Sequence, residues 1–317
     1  MSPNSSLPSP KLPSPSHAVV GCSSLGASVE FLRLFGFGEP TTSTLPAEAA
    51  RALYGLESST EEAILKVPGA SLGYVRLAGT PNPKRSFDNL DNRPFAIDLF
   101  TTDLDRSLAL AGQNGFHSSP VATHQFGPIS IREVEIKGPD DLIVTLLESA
   151  ARRPTILDSE PDRLHSEIHA LVWSVKEIDK LLPFWIEQVG LETLTDAVFD
   201  SPEMGAVLGV PDRRIKARLA VFADSEAQPI RLELIEFLGE PAADHPNFPL
   251  AAGLYAPAFE LAFEVPFEVD SLEAVCEQLE GAELSDIIEL DTPIHPRARA
   301  VTGVAPGGLR FEIWTKA

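Results

Sequence analysis

Cysteine is almost missing: Cys22 and Cys276 are the only two in 317 residues. They show no CxxC spacing, so a disulfide framework is excluded and a reduced, cytoplasmic compartment is the expectation. Basic residues are scarce as well, 25 Lys and Arg against 46 Asp and Glu, leaving a formal charge of −21. No basic stripe could neutralise a phosphate backbone, so a nucleic-acid partner is not expected. No apolar run approaches the roughly 18 residues of a membrane span, so no membrane partner is expected either. GxGxxG, Walker A and GxSxG phrases are absent, which removes support for nucleotide cofactors and serine hydrolysis. His165-Ser166-Glu167-Ile168-His169 is not the zinc-binding HExxH helix, because its spacing is wrong and its context is a strand.

What remains is an ordinary globular composition, 44% apolar and 22% charged, in a chain long enough for two domains. The first sixteen residues, MSPNSSLPSPKLPSPS, are rich in proline and serine and have no apolar signal region. They read as a disordered tail over 1–16. Near the other end, Pro306-Gly307-Gly308 marks a tight turn before Leu309-Arg310-Phe311-Glu312-Ile313-Trp314, a strand by composition. A near-copy, Gly138-Pro139-Asp140-Asp141-Leu142-Ile143-Val144-Thr145-Leu146-Leu147, stands much earlier, with Thr145 in the place of Glu312.

The repetition extends to the whole chain. Strands opening at His17, Pro94, His169 and Glu260 are each followed by a helical stripe and then by more strands. Asp103 is a credible N-cap, and Gly36, Gly190 and Gly281 are credible helix stops. In the third copy Ile178, Leu181, Leu182, Trp185 and Val189 share one helical face. The polar segment 149–164, with its two prolines, is the best linker. A period of about 70–90 residues is too long for a solenoid. It suits a small α+β unit that pairs with a copy of itself.

A βαβββ unit duplicated in this way, with a histidine at the first strand and a PGG-apolar-x-apolar-Glu phrase at the last, resembles the vicinal oxygen chelate superfamily. That group contains glyoxalase I, methylmalonyl-CoA epimerase, extradiol dioxygenases and bleomycin-resistance proteins. The resemblance covers residues 17–317 and implies an α+β, glyoxalase-like fold of four βαβββ modules in two open, barrel-like mixed sheets. The expected division is a tail (1–16), an amino-terminal two-module domain (17–149) with a degenerate site, a linker (150–164), and a carboxy-terminal two-module domain (165–317) with the metal site.

In such proteins the first and last strands of paired modules supply the ligands of one divalent metal. By position the third module offers His169 and Glu233, and the fourth Glu260 and Glu312. The first offers only His17, its last-strand position falling on Val75, and the second offers Ala96 and Thr145. One imidazole with three carboxylates suits Zn, Mn, Fe, Co or Ni, and without a cation three gathered carboxylates would repel. The expectation is sequential pairing of modules one with two and three with four, because it keeps all four ligands together; crossed pairing would instead join His17 to Glu260 and Glu312.

The implied function is a metal-dependent lyase or isomerase, epimerase-like. Glu233 or Glu312 would move a proton beside a carbonyl or hydroxyl of a small substrate with two chelating oxygens. An Fe(II) ring-cleaving dioxygenase is the first alternative, weakened because Glu260 stands where a second histidine would be. A small-molecule sequestration protein is the second, and a homodimer is compatible with all three. His165 reads as linker surface, and His117, His124, His245 and His295 as loop residues, with His295 at a pocket mouth.

Overall fold

The computed structural model describes residues 11–85, 87, 90–126, 128–201, 203–223, 230–240, 249–261 and 271–316. Module one runs β1 (His17–Cys22), α1 (Leu25–Arg33), β2 (Thr41–Leu45), α2 (Ala47–Tyr54), β3 (Thr60–Leu65) and β4 (Tyr74–Gly79). Module two runs β5 (Arg93–Thr101), α3 (Leu104–Gln113), β6 (His117–Ser118), β7 (Ala122–Phe126), β8 (Ile129–Lys137) and β9 (Ile143–Ser149). Module three has β10 (His165–Ser174), β11 (Glu192–Ser201), α4 (Met204–Val207), β12 (Ile215–Ala223) and β13 (Arg231–Phe237). Module four has β14 (Gly253–Leu261), α5 (Ser271–Gln278), β15 (Glu283–Leu284), β16 (Ile288–Leu290), β17 (Ala298–Val304) and β18 (Arg310–Lys316).

Local chemistry sets these limits. Ser24 and Asp103 cap α1 and α3 by accepting from the amides of Ala27 and Arg106, and Gly55 closes α2 in the left-handed region at φ 65°. The helix expected in module three is broken. A short 3₁₀ turn at Ile178–Lys180 gives way to a wide turn at Pro183–Gln188, since Pro183 has no amide to continue the ladder. Ile178, Leu181, Trp185 and Val189 are nevertheless buried, so the apolar stripe is used. None of the described helices is long and apolar enough to cross a membrane.

Two nine-stranded mixed sheets result, and their strand order corrects the expected pairing. The first sheet reads β15-β17-β18-β14-β1-β4-β3-β2 with β16 also on β17, joining module four to module one, and the second reads β11-β12-β13-β10-β5-β9-β8-β6 with β7 also on β8, joining module three to module two. The first strands meet antiparallel at both seams, with His17 opposite Ala258 and Ala170 opposite Asp98. The division into an amino-terminal and a carboxy-terminal pair therefore does not hold. Crossed pairing gives the buried Arg76 of module one a carboxylate partner on module four, Glu312, and a buried guanidinium without one would be strongly unfavourable.

The expected linker is also built in. Its turn at Ile156–Asp158 carries a capping box from Thr155, and Leu157 is buried. Arg163 donates to the carbonyls of Gly36 and Pro68 in module one. The tail expected over 1–16 is docked from residue 11 onward: the Leu12 amide donates to Val189 and the Ser16 amide to Ala258. Residues 1–10, and 262–270 of the expected fourth-module opening, lie outside the described residues. One large apolar cluster draws on all four modules. Smaller clusters line the inner faces, Val19, Ala256, Ala258 and Trp314 on the first sheet and Ala96, Val172, Ala217 and Ile235 on the second.

Candidate functional site

The strand register identifies the four corresponding last-strand positions. Glu312 lies opposite Ala258 on β14, Arg76 opposite Val19 on β1, Thr145 opposite Asp98 on β5, and Glu233 opposite Val172 on β10. The position expected in module one, Val75, is one residue away from this register, and one residue in a strand exchanges the two faces. The occupant of that position is a cation.

On the first sheet, Arg76, Glu312 and Glu62 are all fully buried. Arg76 Nη2 donates to Glu312 Oε2, and Nη1 stands 3.9 Å from Glu62 Oε1. The indole of Trp314 donates to Glu312 at 2.7 Å and lies beneath the guanidinium at 4.3 Å. His295 stacks on the same indole at 4.4 Å and approaches Glu62 at 3.2 Å. Burial works against the charge on Arg76, but Glu312 and Glu62 outweigh it and hold the guanidinium protonated. His17 stacks on Tyr74 at 4.3 Å, and the Tyr74 hydroxyl donates to Glu260. These residues do not suit a metal, since a fixed guanidinium already supplies the positive charge between the carboxylates.

The second sheet holds a different set. A chamber of about 100 Å³ is bordered by Asp98, His124, Glu133, Glu135 and Glu233, with Phe95, Val172, Phe199, Leu208 and Leu219 among its apolar walls. α4 contributes Met204 and Val207, and an outer chamber of about 300 Å³ shares Phe95, Glu135, Val207 and Leu208 with it. His124 Nε2 sits 2.9 Å from Glu133. Asp98 is 5% exposed, and its Oδ1 is buried without a hydrogen-bond partner. Burial, then the charges of Glu233 and Glu133, push the Asp98 carboxyl up. Burial and Glu133 push Glu233 to about 7 and Glu135 to about 8. Burial works against protonating His124, but its hydrogen bond to Glu133 outweighs this and raises the imidazole.

The expected ligand set is thus divided. Glu260 and Glu312 belong to the first sheet, His169 and Glu233 to the second. His169 packs on Phe100 at 4.2 Å and accepts from Arg153 Nε, and burial holds its imidazole neutral. Among the expected ligands, only Glu233 reaches a carboxylate-lined chamber. Asp98, His124 and Glu133 border it without being among the ligands expected from the sequence. A lone acid in Pro94-Phe95-Ala96-Ile97-Asp98-Leu99-Phe100 was the available signal for Asp98. His124 is not a loop residue but stands on β7, nine-tenths buried, and His165 is buried against Ser107 rather than on the linker surface. Among the described residues, no three His, Cys, Asp or Glu side chains stand in a metal-binding arrangement.

Glyoxalase I from Zea mays superposes over 95% of this chain and 92% of its own, with a TM-score of 0.63 at 14% identity. A putative dioxygenase from Bacillus subtilis does so over 96% and 86%, with a TM-score of 0.64 at 11% identity. This chain has the vicinal oxygen chelate fold. Neither the protein-family models nor the curated proteins give a match. At such identities the glyoxalase-like likeness concerns architecture: four modules, two curled mixed sheets, few helices. One fold hosts many chemistries, so the reaction has to be argued from the second-sheet chamber.

Proposed function

We propose that the chain is a divalent-metal-dependent lyase or isomerase acting on a small organic molecule in the second-sheet chamber. The observation that carries this reading is the orphaned Asp98 Oδ1, buried beside three further acids and an imidazole. Left alone, such a group is costly, and its acidic neighbours help to raise Asp98, Glu135 and Glu233. A cation relieves both. Asp98, Glu133, Glu233 and His124 would hold it, and an oxygen-rich set with one imidazole suits Zn, Mn, Fe, Co or Ni. Their present spacing is that of neighbours, so side-chain rotation would have to close the coordination sphere.

When bound, the metal supplies Lewis-acid polarisation of a substrate oxygen. The chain's own residues do the rest. Glu135 borders both chambers and is the group we place to move a proton at the substrate. Phe95, Val172, Phe199 and Leu208 exclude water and favour a substrate with an apolar body. An Fe(II) dioxygenase using two histidines and a carboxylate is less well supported, because His124 is the one imidazole bordering the chamber among the described residues.

The test is metal analysis of protein purified without chelators, followed by solvent-deuterium incorporation into small hydroxy- and oxo-compounds with the loaded form. A metal-free preparation that gains nothing on reconstitution would sink the enzyme reading and favour sequestration.

A further inference from the structure

A third cavity lies where the two sheets meet. It is small, about 30 Å³, and is bordered by Arg93 and Trp173 of the second sheet and by Tyr255 and Arg310 of the first. The chemistry of its wall is one-sided. Neither guanidinium forms an ion pair among the described residues, and Nε of each is buried without a partner. Both instead lie on aromatic faces, Arg93 at 4.8 Å from the Phe95 ring and 5.6 Å from that of Phe87, Arg310 at 5.2 Å from that of Tyr255. The indole Nε1 of Trp173, a residue 1% exposed, also has no acceptor. Arginine and indole can only donate.

The neighbours supply no acceptor to these three nitrogens. The Ser174 hydroxyl is spent on the Asp91 carbonyl. Burial, and the charge of Glu312, keep the Tyr255 phenol protonated in spite of Arg310. Burial lowers the pKa of Arg93, and the charges of Glu135, Asp91 and Asp141 offset this only in part. Two such cations at one cavity repel each other, in a protein whose net charge is −21. A water molecule could accept from one donor but would not offset the charge.

We infer that this junction is a binding site for a small anion, held between Arg93 and Arg310 with Trp173 Nε1 as a further donor. The ligand class is a compact oxyanion, either free phosphate or sulfate or the carboxylate of a small acid. The site would tie the two sheets together through a bridging charge. Arg93 also borders the outer chamber beside Glu135, but anion binding at the junction does not depend on the reaction proposed there.

The experiment is thermal unfolding of the full chain in phosphate, sulfate or acetate against sodium chloride of equal ionic strength, with tryptophan fluorescence recorded in parallel. The expected result is a rise in Tm of about 2 °C or more in at least one oxyanion, with a saturable emission change that Trp173→Phe removes. Phosphate and sulfate acting alone would identify the inorganic source, and acetate acting alone the carboxylate source. Arg93→Gln and Arg310→Gln should each abolish the oxyanion-specific rise. Should either variant fail to fold, a bromide soak of wild-type crystals decides, an anomalous peak between the two guanidinia being expected. No oxyanion-specific rise in the wild type, or an undiminished rise in the double variant, overturns the proposal.

Discussion

Arg76 on β4 and Glu312 on β18 form a fully buried ion pair across the first sheet, with β1 and β14 lying between their strands. Removing one partner leaves an uncompensated charge in the interior, so Arg76→Met is expected to cost about 3–5 kcal/mol. The double variant Arg76→Met/Glu312→Leu should recover much of that loss, because neither charge is then stranded. Arg76→Lys should not be conservative, since an ammonium cannot lie flat on the Trp314 ring while reaching both Glu312 and Glu62. Urea denaturation of the three variants checks this. A single variant as stable as wild type would contradict the pair's role.

Metal content separates the two sheets. Asp98→Asn and Glu233→Gln should each reduce bound divalent metal at least about tenfold, the scale of losing a supporting ligand. Glu312→Gln, Glu260→Gln and His169→Ala should leave it unchanged in whatever protein folds. Elemental analysis after gel filtration is the measurement. Loss through Glu312 or His169 would restore the ligand set expected from sequence alone.

His165 makes stability depend on pH. Burial, assisted by the nearby Arg106, pushes its imidazole down to about 4. Below the unfolded value of about 6.5 the unfolded chain binds a proton that the folded chain refuses, so stability falls as pH drops from there toward 4. The shift corresponds to a loss on the order of 3 kcal/mol. The raised carboxyls of Glu233 and Glu135 act in the opposite sense, so the quantity to read is wild type minus His165→Gln. That difference in urea midpoint should grow between pH 6.5 and pH 4, and a flat difference would refute the assignment.

Two glycines give opposite outcomes on substitution. A Cβ at Gly205 would stand 2.1 Å from the Arg213 carbonyl oxygen, whereas a Cβ at Gly112 meets nothing within 4 Å. Gly205→Ala should therefore displace α4, which walls the second-sheet chamber, and lower stability by about 1–3 kcal/mol. Gly112→Ala, inside α3, should raise it by about 0.5–1 kcal/mol. Calorimetry of the pair tests both, and ligand affinity should fall in the first variant alone.

The modules were legible in the sequence because each carries its own local signals. Asp103 caps α3 as read, and the PGG turn precedes its strand as read. Pairing was not legible, since four modules with similar apolar patterns present similar edges, and nothing local says which copy a first strand will meet. Sequential pairing would keep His169, Glu233, Glu260 and Glu312 together, but that is a demand of metal chemistry rather than a property of the strands. One residue of register hid Arg76 behind Val75, and with it the cation that closes the first sheet. Asp98 stands two residues beyond Ala96, the first-strand position expected in module two, and on the same face.

Crossed pairing has a consequence for synthesis. Ser16 hydrogen-bonds to Ala258 across 242 positions, so the opening strand, which pairs on one side with β4 of its own module, lacks its other neighbour β14 until most of the polypeptide has left the ribosome. Contacts of such long range slow folding and prolong the exposure of unpaired edges. Modules two and three can close the second sheet as soon as both have emerged, whereas module one must wait for module four. Production of this protein should accordingly be more sensitive to chaperone supply and to early termination than its size suggests.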